Sequence, residues 1–127
     1  MMTFFLRCCL INLLVLLIVP HQASGQVKPL LDNDQVRIQE ATMRVGAKTP
    51  EHTHPADEAI YVLSGGKIKV TLQDGTIRTE EIKTGEVRWR TAPETHVAEN
   101  MGDTEIRLLD IQLKKPQGQV EQPAKEP

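Results

Sequence analysis

Short stretches of alternating apolar and polar residues, separated by turn residues, run through most of this chain. Ile68, Val70 and Leu72 alternate with lysine and threonine, which places the apolar side chains on one face of an extended strand. Asp74-Gly75 follows closely and is the strongest hairpin signal in the sequence. The pattern predicts an all-β fold, a sandwich or barrel of about eight short strands with turns roughly every 8–12 residues.

Residues 1–25 differ from the rest and have the pattern of a secretory signal peptide. Arg7 is their only charged residue, residues 8–19 form an apolar run, and the small residues Ala23 and Gly25 frame a cleavage site. We therefore expect cleavage after Gly25 and export to the periplasm or the cell exterior. The alternative is an uncleaved membrane anchor. The apolar run is shorter than the roughly 20 residues that a spanning helix requires, which argues against this anchor. Cleavage would remove the run, so we expect no stable membrane insertion of the mature protein.

Removal of the leader would leave a chain without cysteine. Cys8 and Cys9 both lie in the leader, so disulfides cannot stabilise the mature protein. The remainder carries 14 basic and 17 acidic side chains, a net charge of −3, and has no basic block of the kind that binds nucleic acid. We interpret residues 26–34 as a linker, residues 35–113 as the folded domain, and the polar residues 114–127 as a disordered tail.

Three of the four histidines in the chain lie in the predicted domain, and their spacing suits a metal site. His52 and His54 are two residues apart, so their side chains share a face if the stretch is extended. Glu58 can return to the same interior after a turn, and His96 lies further along the chain. Imidazole suits zinc, copper, iron and nickel, and a carboxylate adds manganese. Taken alone, a His-x-His pair also occurs by chance on protein surfaces.

Two segments around these residues resemble the two sequence motifs of the cupin superfamily. Residues 46–65 fit the first motif, G-x5-H-x-H-x3-E-x6-G, at every fixed position. Residues 85–100 resemble the second, G-x5-P-x-G-x2-H-x3-N, and keep its glycine, histidine and asparagine. They depart from it at Thr91 and Pro93. Because Pro93 fixes φ at about −65°, the turn before His96 is expected to follow another backbone path.

The resemblance covers residues 36–113 and implies a cupin-type jelly-roll β-barrel. It implies one divalent transition metal, Mn, Fe, Ni, Cu or Zn, held by His52, His54, Glu58 and His96. Glu58 could also take a proton in catalysis. The resemblance also implies a small-molecule substrate and a reaction such as that of a dioxygenase, an isomerase or a decarboxylase. The alternatives are a non-catalytic protein that binds a metal or small ligand, and a structural barrel whose site was lost at Pro93.

The few aromatic residues of the domain carry two further expectations. Tyr61 has the opposite strand parity from Glu58, so it should face away from the site. Given the small core and the cupin habit of dimerising, we expect Tyr61 to contact a second subunit in a homodimer. Trp89 is expected in the core, with Arg88 and Arg90 on the solvent side of the same strand.

Two glycines of the motif segments, Gly65 and Gly85, are expected in turns. A glycine lacks a Cβ atom, so it adopts positive φ at little cost. We therefore predict positive φ at both positions.

Overall fold

The computed structural model describes residues 24–114, and nearly all of them belong to β-strands or the turns between strands. These residues contain no helix long and apolar enough to cross a membrane. Residues 1–23 of the predicted signal peptide and 115–127 of the predicted tail lie outside the described residues. The strands are β1 Gln26–Asp32, β2 Val36–Met43, β3 His52–His54, β4 Glu58–Ser64, β5 Gly66–Leu72, β6 Ile77–Ile82, β7 Val87–Arg90, β8 Glu94–Asn100 and β9 Ile106–Leu113.

The strands form two antiparallel sheets that face each other. One sheet has five strands in the order β1-β2-β9-β4-β7, and the other has four in the order β3-β8-β5-β6. The all-β prediction is confirmed. The cluster of buried side chains is aliphatic and includes Met43, Val62, Ile68 and Ile106. The site described below lies in this same interior.

The described residues contain nine strands rather than about eight, because residues 26–32, interpreted as part of a linker, form β1. All seven residues of β1 are exposed, so this strand shows no alternation that sequence reasoning could detect. Backbone pairing with β2 holds it at the sheet edge, from Gln26 opposite Thr42 to Asp32 opposite Arg37. The register shifts after Pro29, which has no N–H to donate and is tolerated on an edge strand.

Strand β7 turns the opposite face inward from the one predicted. Antiparallel pairing with β4 sets Arg90 opposite Glu58 and Trp89 opposite Ala59, and residues directly opposite share a face of the sheet. Glu58 is buried inside the barrel and Arg90 is bonded to it, whereas Trp89 is 57% exposed. Arg88 shares the inward face and is partly buried. The prediction of a core Trp89 and solvent-facing arginines is therefore wrong, because the register with β4, not hydrophobicity, fixes the face.

The two motif glycines meet different structural requirements. Gly85 has φ of 85°, as predicted. Gly65 is not among the described residues with positive φ, so its prediction is wrong. A Cβ at Gly65 would lie 2.2 Å from the carbonyl oxygen of Ile82. Gly65 is therefore required for the close approach of two backbones and not for a left-handed turn.

Candidate metal centre

Three imidazoles meet in the barrel interior and form the histidine cluster, His52, His54 and His96. The short strand β3 pairs with β8, which places His52 directly opposite His96, and His54 lies two residues further along the same face. The ring centroids are 4.6 to 5.0 Å apart. One donor atom from each ring lies within 4.8 Å of the others, which makes the three rings a candidate set of ligands for a single ion. The departures from the second motif do not displace His96, although the Ala92–Pro93 peptide is cis.

An oxygen atom holds the Nδ1 nitrogen of each ring in the cluster. The partners are the carbonyl oxygen of Pro50 for His52 at 3.0 Å, Oε1 of Glu58 for His54 at 2.7 Å and Oε1 of Glu94 for His96 at 2.8 Å. Because these oxygens are acceptors, Nδ1 carries the proton and donates it in each case. Nε2 is therefore the unprotonated nitrogen of every ring, which is the usual arrangement for metal-binding histidines, and in His54 it also lies 3.2 Å from Nη1 of Arg90.

The environment of His96 keeps its ring uncharged. The side chain is 2% exposed. Burial, followed by the positive charge of Arg90, lowers the pKa of His96 from 6.5 to about 4. The opposing hydrogen bond to Glu94 is too weak to reverse this shift. His96 is consequently neutral at physiological pH, and neutral imidazole is the form that binds metal.

Glu58 was predicted as the fourth ligand, and in the structure both of its carboxylate oxygens face other protein groups. Oε1 accepts from Nδ1 of His54, and Oε2 accepts from Nη1 of Arg90 at 2.6 Å. The side chain is 2% exposed. Burial raises the pKa of Glu58, but the bonds to His54 and Arg90 outweigh it, and the net pKa is lowered. Among the described residues, the group close enough to share one ion consists of the three histidines alone.

Arg90 connects the two carboxylates that orient the histidines. Its Nη1 binds Glu58, which holds His54, and its Nε lies 3.3 Å from Oε1 of Glu94, which holds His96. Nη1 is also 3.2 Å from both ring nitrogens of His54, so the guanidinium lies directly against this ring. This role of Arg90 could not be predicted from the sequence, because the pairing of β7 with β4 is a long-range feature that no local pattern reveals.

A cavity of about 310 Å³ adjoins the histidine cluster. Its walls are mainly apolar, and the polar groups that line it besides the imidazoles include Arg90, Gln39 and Asp110. Asp110 is 5% exposed, and burial, reinforced by the negative charge of Glu58, raises its pKa. Asp110 was not among the predicted site residues, although it shares strand parity with the inward-facing Ile106 and could have been found from that signal.

The chain is similar in sequence and in fold to known proteins. A family model described as "Cupin domain" matches residues 39–112. A search of the curated proteins finds no match. Among solved structures, a cupin domain from Bordetella pertussis is 22% identical with a TM-score of 0.70, over 74% of this chain and 97% of that one.

Two further similar structures are enzymes by name. The polyketide cyclase RemF from Streptomyces resistomycificus is 26% identical with a TM-score of 0.58, over 72% of this chain and 66% of that one. An oxalate decarboxylase is 27% identical with a TM-score of 0.59, over 72% of this chain and 26% of that one.

Proposed function

Because this chain belongs to the cupin domain family, we propose that it binds one divalent transition metal through His52, His54 and His96 and acts on a small organic substrate in the adjoining cavity. The observation that carries the proposal is the set of three imidazoles whose Nδ1 protons are all held by oxygen. Three neutral imidazoles fit zinc, copper, iron or nickel, and an added carboxylate would admit manganese.

The chain's own residues would divide the work as follows. His52, His54 and His96 would hold the metal, which would supply Lewis-acid chemistry toward an oxygen of the substrate. Glu58 and Glu94 fix the orientation and tautomer of His54 and His96, and Arg90 fixes both carboxylates. The apolar walls of the cavity exclude water. Glu58 remains our candidate for a fourth ligand or a proton acceptor, and either role requires its carboxylate to leave the Arg90 guanidinium.

Elemental analysis of the purified protein tests the metal proposal. We expect about one transition-metal ion per chain in the wild type, and a large loss in His52→Ala and in His96→Ala, because each removes one of three ligands. Thr53→Ala is the matched control, since Thr53 lies between two of the ligands but is exposed on the opposite face. Equal metal content in the wild type and both histidine variants would refute the assignment.

A non-catalytic binding protein is the second candidate. The observation that favours it is the full engagement of Glu58 by His54 and Arg90, which leaves no free base beside the imidazoles in that position. The two candidates differ in turnover. Metal-loaded protein that binds small molecules, yet consumes no oxygen and alters no member of a panel of carboxylic acids and phenols, would favour binding over catalysis.

We also propose that the protein is exported and forms a homodimer. Cleavage after Gly25 would leave Gln26 at the start of β1, and an intact mass that still contains residues 1–25 would count against export. Tyr61, Val87 and Trp89 are exposed apolar residues on the paired strands β4 and β7, which supports a subunit contact there. Light scattering that gives a monomer mass would count against the dimer.

A further inference from the structure

Asp110 lines the cavity and has a buried carboxylate oxygen atom without a hydrogen-bond partner. The residue lies in the middle of β9 and is 5% exposed. Within residues 24–114, its Oδ1 is the one buried side-chain nitrogen or oxygen atom that makes no hydrogen bond. Nearly all buried polar atoms in folded proteins are paired, and an exception therefore calls for an explanation.

The position of Asp110 in the barrel relates it to the histidine cluster. Asp110 and Gln39 are direct partners on the neighbouring strands β9 and β2 of the five-stranded sheet. The cluster belongs to β3 and β8 of the four-stranded sheet. Both groups line the same cavity. A molecule in that cavity would therefore have imidazoles on one side and a carboxylate with an amide on the other.

Gln39 hydrogen-bonds the carboxyl group of Asp110, yet the Oδ1 atom has no partner of its own. The nearest cation of the cavity wall, Arg90, is already bound to Glu58 and lies against Glu94. Much of the remaining wall is aliphatic and includes Met43 and Leu108. An acceptor in such surroundings lowers the stability of the fold unless a ligand or water donates to it.

We propose that Asp110 is a ligand-recognition residue that accepts a hydrogen bond from a hydroxyl or amine group on a small, mostly apolar molecule. The inference rests on the proposed function only in placing that molecule in the same cavity. A ligand carboxylate at this end is disfavoured because it would offer the unpaired oxygen of Asp110 an acceptor instead of a donor. The volume of about 310 Å³ limits the ligand to a small molecule.

Benzyl alcohol and toluene form a matched pair of probes, since they differ in one hydroxyl group. Their dissociation constants would be measured by chemical-shift titration of the full mature protein. We expect the wild type to prefer benzyl alcohol, and Asp110→Leu to reduce that preference by about tenfold, because the leucine offers no acceptor. Asp110→Asn should reduce it by a few fold, since a charge-assisted bond becomes neutral. Asp103→Asn, at an exposed acid, should change nothing.

Thermal melting and metal content separate recognition from a structural role. Removal of an unpaired buried carboxylate should raise the melting temperature of Asp110→Leu while it weakens the preference for the alcohol. An unchanged preference in Asp110→Leu, or in Asp110→Asn should the leucine variant fail to fold, would overturn the proposal. Failure of the wild type to bind benzyl alcohol would overturn it too. If elemental analysis finds no metal in the wild type while the preference for benzyl alcohol still depends on Asp110, the metal proposal is refuted and the recognition proposal stands.

Discussion

Replacement of Arg90 by methionine tests the ionic arrangement behind the histidine cluster. Methionine retains an apolar stem of comparable length, so the change removes the charge with little loss of packing. In the wild type, Arg90 Nη1 lies 2.6 Å from Oε2 of Glu58, and the two side chains are 16% and 2% exposed. Arg90→Met therefore leaves a buried carboxylate whose remaining partner is His54.

The expected cost follows from the desolvation of that carboxylate. Breaking a buried ion pair by removal of one partner costs about 3–5 kcal/mol. We expect about 3 kcal/mol, the lower end, because His54 still donates one hydrogen bond to Glu58. For a domain of this size, 1 kcal/mol changes the melting temperature by roughly 4–8 °C, so Arg90→Met should melt roughly 12–24 °C below the wild type.

A double-mutant cycle measured by urea unfolding of the metal-free protein isolates the pair. Glu58→Gln should cost about 1.5 kcal/mol, because Arg90 keeps Glu94 as a partner. The double variant, in which no charge is left unpaired, should cost about 2 kcal/mol less than the sum of the single changes. Additive costs, or a loss below about 1 kcal/mol in Arg90→Met, would show that the Glu58–Arg90 pair does not stabilise the fold.

The pH dependence gives the same cycle a second readout. The pKa of folded Glu58 is lowered, despite burial, by His54 and Arg90, so the stabilisation it provides is present above its unfolded pKa and is lost as pH falls. In Arg90→Met, burial acts with less opposition and a protonated Glu58 needs no cation. The stability difference between wild type and variant should therefore narrow as pH falls from 7 to about 4. A constant difference across this range would contradict the assignment.

Three further predictions concern stability. The metal-free wild type should lose about 3 kcal/mol of unfolding free energy as pH falls from about 6.5 to about 4, because His96 is protonated at a lower pH in the folded protein, with a pKa of about 4, than in the unfolded chain. Urea unfolding at each pH measures this loss, and His96→Gln should make it smaller. Gly65→Ala should destabilise the fold by more than about 2 kcal/mol in thermal melting, since its Cβ would lie 2.2 Å from a carbonyl oxygen. Gly75→Ala should cost roughly 1 kcal/mol, because its Cβ would meet open space and the cost comes only from the φ of 87°. Asn100→Ala should cost about 3 kcal/mol, because this buried amide bonds Met43, Gly102 and Thr104, and hydrogen exchange of the turn should accelerate.

The features that sequence alone could predict are those that depend on local alternation. Strand β5 shows a clean period of two, and the Asp74-Gly75 turn leads it into β6. Strand β1 shows no such pattern because all of its side chains are exposed, and its position depends on backbone pairing with β2. The proximity of His52 and His54 follows from local parity, and the resemblance to known motifs added His96.

The residues that sequence reasoning missed are buried charges. Asp110 has the parity of an inward-facing residue, yet aspartate is so seldom buried that alternation alone would not select it. Arg90 alternates with the two apolar residues of its strand, Val87 and Trp89, so hydrophobicity assigned it the wrong face. Its true face depends on pairing with Glu58, which is 32 positions away in the chain. Such a register is a property of the folded sheet and has no local sequence signature.

The position of Arg90 also explains why a short four-residue strand matters to the candidate metal centre. Two of the three imidazoles receive their orientation from carboxylates, Glu58 and Glu94, and both carboxylates are held by the one guanidinium. Since Arg90 also contributes to the low pKa of His96, its charge favours the neutral imidazole that a metal needs. The same charge would repel a divalent cation nearby, and its ion pairs with two carboxylates reduce that repulsion. The arrangement therefore combines a neutral donor set with a locally balanced charge.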